Sequence, residues 1–246
     1  MAENILITIC ARAGSKRLPN KNILPLHGKP LFEWTVEQAN KFKPKSIIIS
    51  TDSVNILNTI HSGKWPYVED LPRPLELCQD DTPKLDVIRH ALNIMEGIWA
   101  IQYDTIIDLD VTNPLRTVEH IEEAYQTFIN GKYDSLSSVV EARKNPYYSM
   151  LEIVDGKVEY SKRIYGTLEK ILCSQQAPKV YEQNANIYIY SRHYFLDKRN
   201  KDDIGYNTGI YIMPAWTFCD INTQLDFEIV EFLMDKYLLK KEKYAY

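Results

Sequence analysis

Between Asn4 and Phe32 the chain carries five cations, Arg12, Lys16, Arg17, Lys21 and Lys29, and no Asp or Glu. The whole chain has a formal net charge of −4, so this excess belongs to the segment and not to the composition. Residues 11–22 also hold Ala13, Gly14, Ser15 and Asn22. Gly14 lets backbone approach an anion closely, and Ser15 can donate a hydroxyl. Arg12 can take two phosphate oxygens at once, while Lys21 is a mobile point charge. The chemistry indicated is phosphate binding. A basic surface turn is the plain alternative, but the segment directly follows an apolar run at residues 5–9. It is neither Gly-x4-Gly-Lys-Ser/Thr nor Gly-x-Gly-x-x-Gly, so both common nucleotide fingerprints are excluded.

Three acids form a second group. Asp108 and Asp110 flank Leu109 at the end of an apolar run, and residues two apart share one face of a strand. Both carboxylates can therefore face a crevice, although a strand-end Asp often serves only to cap a loop. Asp220 is expected to end another strand. Hard oxygen ligands of this type suit Mg²⁺, which needs few protein ligands and keeps much of its water. Arg73, in Leu71-Pro72-Arg73-Pro74, can serve as a loop anchor.

The elements that must position these groups alternate in type. Strands are expected at residues 5–9, 46–50 and 105–109, and helices at 30–42, 53–61, about 84–95 and 117–129. Pro30 suits the first turn of its helix, and Leu31, Trp34, Gln38 and Phe42 recur at helical spacing. A Pro-rich loop is expected over residues 71–83. This rhythm implies an α/β fold with a mostly parallel sheet covered by helices. Ligands then sit at the carboxyl ends of the strands, after Ile9, Ile49 and Leu109. The second half is less regular. A strand at 136–140 is followed by a hairpin at 151–153 and 158–160 around Asp155-Gly156, then an excursion over 161–183. Strands at 186–190 and 209–213 and a helix at 224–239 complete the chain.

Length and composition bound the rest. A chain of 246 residues with 45% apolar and 25% charged residues fits a soluble globular protein. The four cysteines, at 10, 78, 173 and 219, lack metal-type spacing and are expected to be reduced. The N-terminus has no signal-peptide character, no run approaches a membrane span, and the expected location is cytoplasmic. A pI near 5.8 argues against a nucleic-acid partner. Many of the 17 tyrosines are expected at the surface, with some available to a sugar pocket or an interface.

Residues 11–22 resemble the signature of cytidylyltransferases that activate nine-carbon α-keto acid sugars. Further matches follow in the family's order: Ser50-Thr51-Asp52; Arg73-Pro74 with Asp81-Thr82; Thr112-Asn113-Pro114-Leu115-Arg116; Asn184-Ala185-Asn186-Ile187-Tyr188-Ile189; and Asp220-Ile221-Asn222-Thr223-Gln224-Leu225-Asp226. The resemblance spans about residues 5–235. It implies a three-layer, Rossmann-like nucleotidyltransferase fold in one domain, with a dimerisation and sugar-pocket segment inserted at about 140–185. The implied reaction moves CMP from CTP to the anomeric hydroxyl of a sialic or legionaminic acid, with Mg²⁺, and releases pyrophosphate. Arg12, Lys21 and Asp110 are the implied catalytic residues. Arg12, Ala13, Gly14, Ser15, Lys21, Asn22, Arg73, Asp81 and Thr82 would hold the nucleotide. Asp110, Arg143, Gln175, Tyr181, Asn184 and Tyr206 would meet the sugar, with Tyr147 and Tyr148 as further candidates to pack on it. Asp220 and Asn222 would hold the metal, with Asp110 as a helper. A homodimer is implied.

The sequence departs from the sialic-acid pattern at three places. Asp110 stands where Gln is usual, Asn222 where a second metal-motif Asp is usual, and Ser174 where an Arg serves the sugar carboxylate. Arg143, Lys144, Arg163 and Lys170 are candidates to replace that Arg. Ile107-Asp108-Leu109-Asp110 and residues 142–147 look more like the legionaminic-acid branch. Two alternatives remain at this point: a nucleotidyltransferase for another acidic sugar, such as an octulosonic acid, and a catalytically weak nucleotide-sugar binding protein.

Overall fold

The computed structural model describes residues 4–162, 171 and 174–239. β1 (Ile5–Cys10) is followed by a two-strand turn, β2 (Pro25–Leu26) and β3 (Lys29–Pro30), which delivers the chain to α1 (Leu31–Phe42). Next come β4 (Ser46–Thr51), α2 (Val54–Thr59), β5 (Val68–Pro72), α3 (Lys84–Trp99), β6 (Thr105–Leu109), α4 (Val118–Gly131) and β7 (Ser135–Glu141). The hairpin β8 (Leu151–Val154) and β9 (Lys157–Tyr160) interrupts the sequence. β10 (Tyr181–Ser191), α5 (Arg192–Leu196), β11 (Thr208–Ile212) and α6 (Gln224–Met234) follow.

Seven strands form one sheet in the order β11-β7-β10-β6-β1-β4-β5. All pairings are parallel except those of β10, which runs antiparallel to both β6 and β7. Side chains alternate across the sheet. Ile5, Ile7, Ile9, Ile47, Ile49, Ile107 and Leu109 enter one core with α1, α4 and α6. Leu6, Ile48 and Ile106 enter the other with α3 and α5. Helices therefore cover both faces, which is why the central strands are near-continuous apolar runs. The α/β architecture expected from the alternation is the one present.

Several local expectations are corrected. Residues 68–72 are a strand, which takes in Leu71 and Pro72, expected to open the loop, and residues 68–70, for which no element was expected. Val68 and Leu71 are buried against α2 and α3, and Pro72 is tolerated because β5 is an edge strand. β10 is twice the expected length and takes in residues assigned to the excursion. Its register shifts between Gln183 and Tyr188, and Ala185 has a φ of 47°. The helix of residues 192–196 was not expected at all. Asp220 does not end a strand; it lies between a short turn (Ala215–Thr217) and α6. The capping boxes Thr117/His120 and Thr223/Asp226 set the starts of α4 and α6.

Candidate active site

β1, β4, β5 and β6 end on the same side of the sheet, and a cavity of about 490 Å³ opens there. Arg12, Ser15, Lys16, Arg17, Lys21 and Asn22 line one wall. The loop that carries them is pinned from below. Thr51 Oγ1 donates to Ala11 O at 2.5 Å, Asp52 Oδ1 accepts the Ala13 N–H at 2.6 Å, and Asn22 Nδ2 donates to Arg12 O at 2.9 Å. Asn20 takes the left-handed conformation (φ 55°) that lets the chain turn back. Asn22 Oδ1 is buried without a donor, and the residue lines the cavity.

The loop cations already have partners. Arg12 lies 2.9 Å from Asp80, and Lys16 pairs with the same carboxylate. Arg17 donates to Asn222 Oδ1 at 2.6 Å, and Lys21 donates to Ile221 O. Burial, with Arg17 and Arg12 nearby, pulls the Lys21 ammonium below its ordinary value, although Asp220 and Asp110 oppose this. Arg73 is buried at the end of β5 and donates to Ser50 O at 2.7 Å and Ser50 Oγ at 3.2 Å. It therefore anchors the end of β4, and it also lines the cavity.

Asp108 and Asp110 share a face as expected, and the structure adds a cation between them. Lys84 Nζ lies 2.6 Å from Asp108 Oδ2 and 2.8 Å from Asp110 Oδ2. Burial pulls the Lys84 ammonium down, but the two carboxylates outweigh it and hold it well above its ordinary value. Burial likewise pushes Asp110 up, and Lys84 and Thr112 more than offset that, leaving the carboxyl below its ordinary value. Thr112 gives Asp110 Oδ1 its N–H at 3.2 Å and its hydroxyl at 3.0 Å. Both Asp110 oxygens are thus engaged, and the helper role in metal binding does not fit this geometry.

The segment after Asp110 is braced by Arg116, which is fully buried and donates to Asp110 O, Asn113 O, Asn186 Oδ1 and Thr35 Oγ1 at 2.8–3.0 Å. Burial pulls its guanidinium down to about 10. The brace fixes the 110–116 turn, and Ile221 N donates to Thr112 O at 2.8 Å. That bond brings Asp220 to the crevice. Burial and the charge of Asp110 push the Asp220 carboxyl up. Its Oδ2 accepts from Asn222 Nδ2 at 2.7 Å, while Oδ1 is buried without a donor. An unpartnered carboxylate oxygen beside Lys21 fits a hard cation. Asn222 turns its amide nitrogen to Asp220 and its oxygen to Arg17, so it offers that cation no oxygen as it stands. Among the described residues no three of His, Cys, Asp or Glu form a metal cage.

The expected sugar contacts are dispersed. Asn184 is buried and saturated: Ser138 Oγ donates to its Oδ1 at 2.7 Å, and its Nδ2 faces Thr217 and Met213. It braces β10 and does not line the cavity, which corrects its expected role. Arg143 lies over the Phe218 ring at 3.8 Å and reaches Glu182 at 3.4 Å. Gln175 and Tyr206 are exposed, and Tyr181 is half-buried at the start of β10. None of these four, nor Tyr147, Tyr148 or Asp81, lines the cavity, whereas Thr82 does. Arg163 and Lys170 lie outside the described residues. Sequence reasoning missed Lys84, Thr112 and Asp80. A lysine directly after Thr82-Pro83, at a helix start that prefers acids, was the available signal for Lys84.

Comparison with known proteins bears on what this crevice serves. A family model described as cytidylyltransferase matches residues 6–215. The "CMP-N,N'-diacetyllegionaminic acid synthase" of Campylobacter jejuni is 41% identical over 235 residues, covering 95% of this chain and 96% of that protein. "Post-translational flagellin modification protein B" of Campylobacter coli is 40% identical over 231 residues, 94% of each chain. The N-acylneuraminate cytidylyltransferase of Escherichia coli is 31% identical over 240 residues, 96% of this chain but 53% of that longer protein. In fold, a CMP:2-keto-3-deoxy-manno-octonic acid synthetase solved with CTP superposes with a TM-score of 0.68 at 16% identity, covering 96% of this chain and all of that one. With the family model covering most of its length and relatives at this identity, the chain belongs to the cytidylyltransferase family.

Proposed function

We propose that the protein transfers CMP from CTP to the anomeric hydroxyl of a nonulosonic acid, legionaminic or sialic, and releases pyrophosphate. The observation that carries this reading is the cavity itself. Arg12, Ser15, Lys16, Arg17 and Lys21 line a space sized for a nucleotide together with two acids, Asp110 just past β6 and Asp220 just before α6. The 41% identical relative named for legionaminic acid favours that acceptor.

The residues divide the work. Arg12, Ser15 and Lys21 hold the triphosphate and meet charge developing at the α-phosphorus, since phosphoryl-type transfer depends on positioning and electrostatics more than on covalent help. Ala13, Gly14, Asn22, Arg73 and Thr82 serve the rest of the nucleotide. The sugar hydroxyl oxygen bonds to the α-phosphorus as the bond to the bridging oxygen breaks, and pyrophosphate leaves. Asp110 accepts the hydrogen bond of that hydroxyl and takes its proton late, because its lowered pKa makes it a weak base. Mg²⁺ bound through Asp220 Oδ1 would supply further positive charge to the phosphate oxygens.

The acceptor's far end falls to residues of the 140–185 segment and its surroundings, Arg143, Gln175, Tyr181 and Tyr206. These are spread over an open surface, which fits a pocket completed by a second copy. The β8–β9 hairpin exposes Leu151, Ile153, Val154 and Val158, an apolar surface suited to a homodimer. No described helix is long and apolar enough to cross a membrane; a cytoplasmic location is part of the same proposal.

The test is pyrophosphate release from CTP and Mg²⁺ with N-acetylneuraminic, N,N′-diacetyllegionaminic, pseudaminic and octulosonic acids. Turnover with a nine-carbon acid is expected. Turnover with the octulosonic acid alone would reassign the acceptor, and none with any acid would leave a binding protein.

A further inference from the structure

Lys84 opens α3, and a cation is unfavourable there because the first turn of a helix carries partial positive charge. Helix formation gives no reason for it, so the reason lies in what it touches. Its ammonium bridges Asp108 Oδ2 at 2.6 Å and Asp110 Oδ2 at 2.8 Å, 4.6 Å from the centre of the Tyr188 ring. The other oxygens are taken by neutral donors: Thr8 Oγ1 gives Asp108 Oδ1 a bond of 2.8 Å, and Thr112 serves Asp110 Oδ1. Asp108 has no exposure at all. Around this cluster stand Cys10 of β1, Tyr188 and Tyr190 of β10, and Arg73 at the end of β5. Among the described residues, Lys84 is the donor to Asp110 Oδ2.

We propose that Lys84 is a positioning residue for the transfer: it ties the buried Asp108 to Asp110 and thereby sets the Asp110 carboxylate in the crevice where the nucleophilic hydroxyl arrives. The inference rests on the reaction proposed above. Without Lys84, two carboxylates two residues apart on one strand face meet with no cation between them, and like charges in so dry a place cannot both keep their positions and their ionisation.

Three variants test this. Lys84→Met should lower kcat by about a hundredfold or more, the range of a lost proton acceptor, while KM for CTP stays within about threefold because the phosphate wall is untouched. Lys84→Met combined with Asp108→Asn should recover at least about tenfold of that loss, since an amide at 108 removes the opposing charge and can donate to Asp110. A plain folding defect at Lys84 would not be repaired by a second buried substitution. Lys84→Gln replaces Lys84→Met if the latter does not fold, with the same outcomes expected. Crystal structures give a readout independent of turnover: Asp110 should leave its place in the single variant and return in the double. Wild-type kcat in Lys84→Met, an absence of rescue, or an unmoved Asp110 would overturn the proposal. If the wild type turns over none of the four acids, the reaction assignment fails, and the position of Asp110 alone decides the role of Lys84.

Discussion

Lys21→Ala separates charge stabilisation from loop folding. Lys21 is part-buried in the cavity wall and donates to Ile221 O, opposite Asp220. Removing a single electrostatic donor from a transferring centre costs about 2–4 kcal/mol of transition-state stabilisation. At 1.36 kcal/mol per decade this is roughly 30- to 1000-fold in kcat/KM. The stability loss is smaller. A hydrogen bond to a charged group contributes about 1.5–3 kcal/mol, but the fold also bears the cost of burying the ammonium, which the lowered pKa records. A net loss of about 1 kcal/mol or less lowers Tm by about 2–4 °C in a chain of this size. Steady-state pyrophosphate release at 25 °C, with melting curves on the same samples, measures both. The same burial predicts a basic limb in the wild-type pH profile below the ordinary lysine value of 10.5, as Lys21 loses its charge. Lys21→Arg keeps the charge and should move that limb upward. Kinetics within threefold of wild type for Lys21→Ala, or an unmoved limb in Lys21→Arg, would refute the reasoning.

Asp220→Asn should raise the Mg²⁺ concentration needed for half-maximal activity at least about tenfold, because it removes the unpartnered carboxylate oxygen. Its folded pKa is raised, so the ionised group weakens the fold once the pH passes that value; Tm at pH 7 should therefore hold or rise, and a clear fall would contradict the burial argument. Arg116→Met removes a donor from four oxygens, of which Asp110 O retains Thr35 Oγ1, and should cost about 3–5 kcal/mol, a Tm drop of about 6–20 °C by calorimetry. Asp80→Asn frees Arg12 and Lys16 and should lower KM for CTP by no more than about fivefold, given how exposed the pairs are; an increase would mean that Asp80 helps to hold the nucleotide.

What the sequence disclosed depended on range. β1, β4 and β6 were readable because burial on both faces makes each a continuous apolar run, and their loops followed from strand ends. β5 was not, since Pro72 and alternating exposure disguise an edge strand as a loop. The cation wall was readable because its members are contiguous in residues 11–22. The acid wall was only half readable: Asp108 and Asp110 sit two apart, but their partner Lys84 comes from the first turn of α3, 26 residues before Asp110. Asn184 failed for the opposite reason, since a polar residue in a recognisable motif was taken to face a ligand when its amide is spent inside the fold.

The two walls also explain how one cavity can keep so many like charges together. Arg12 and Lys16 share Asp80, Arg17 takes the amide oxygen of Asn222, and Lys21 takes a backbone carbonyl. Each acceptor is weaker than phosphate: one is a half-exposed carboxylate, and two are neutral oxygens. A triphosphate would therefore displace them at small cost and leave the loop's backbone pins, Thr51, Asp52 and Asn22, in place. Arg17 and Lys21 both take their partners from the 221–222 segment, so nucleotide arrival would release Asn222 from Arg17 and free its amide oxygen for a cation that Asp220 would hold under the proposed function. Metal affinity in this protein should accordingly be higher with the nucleotide bound than without it.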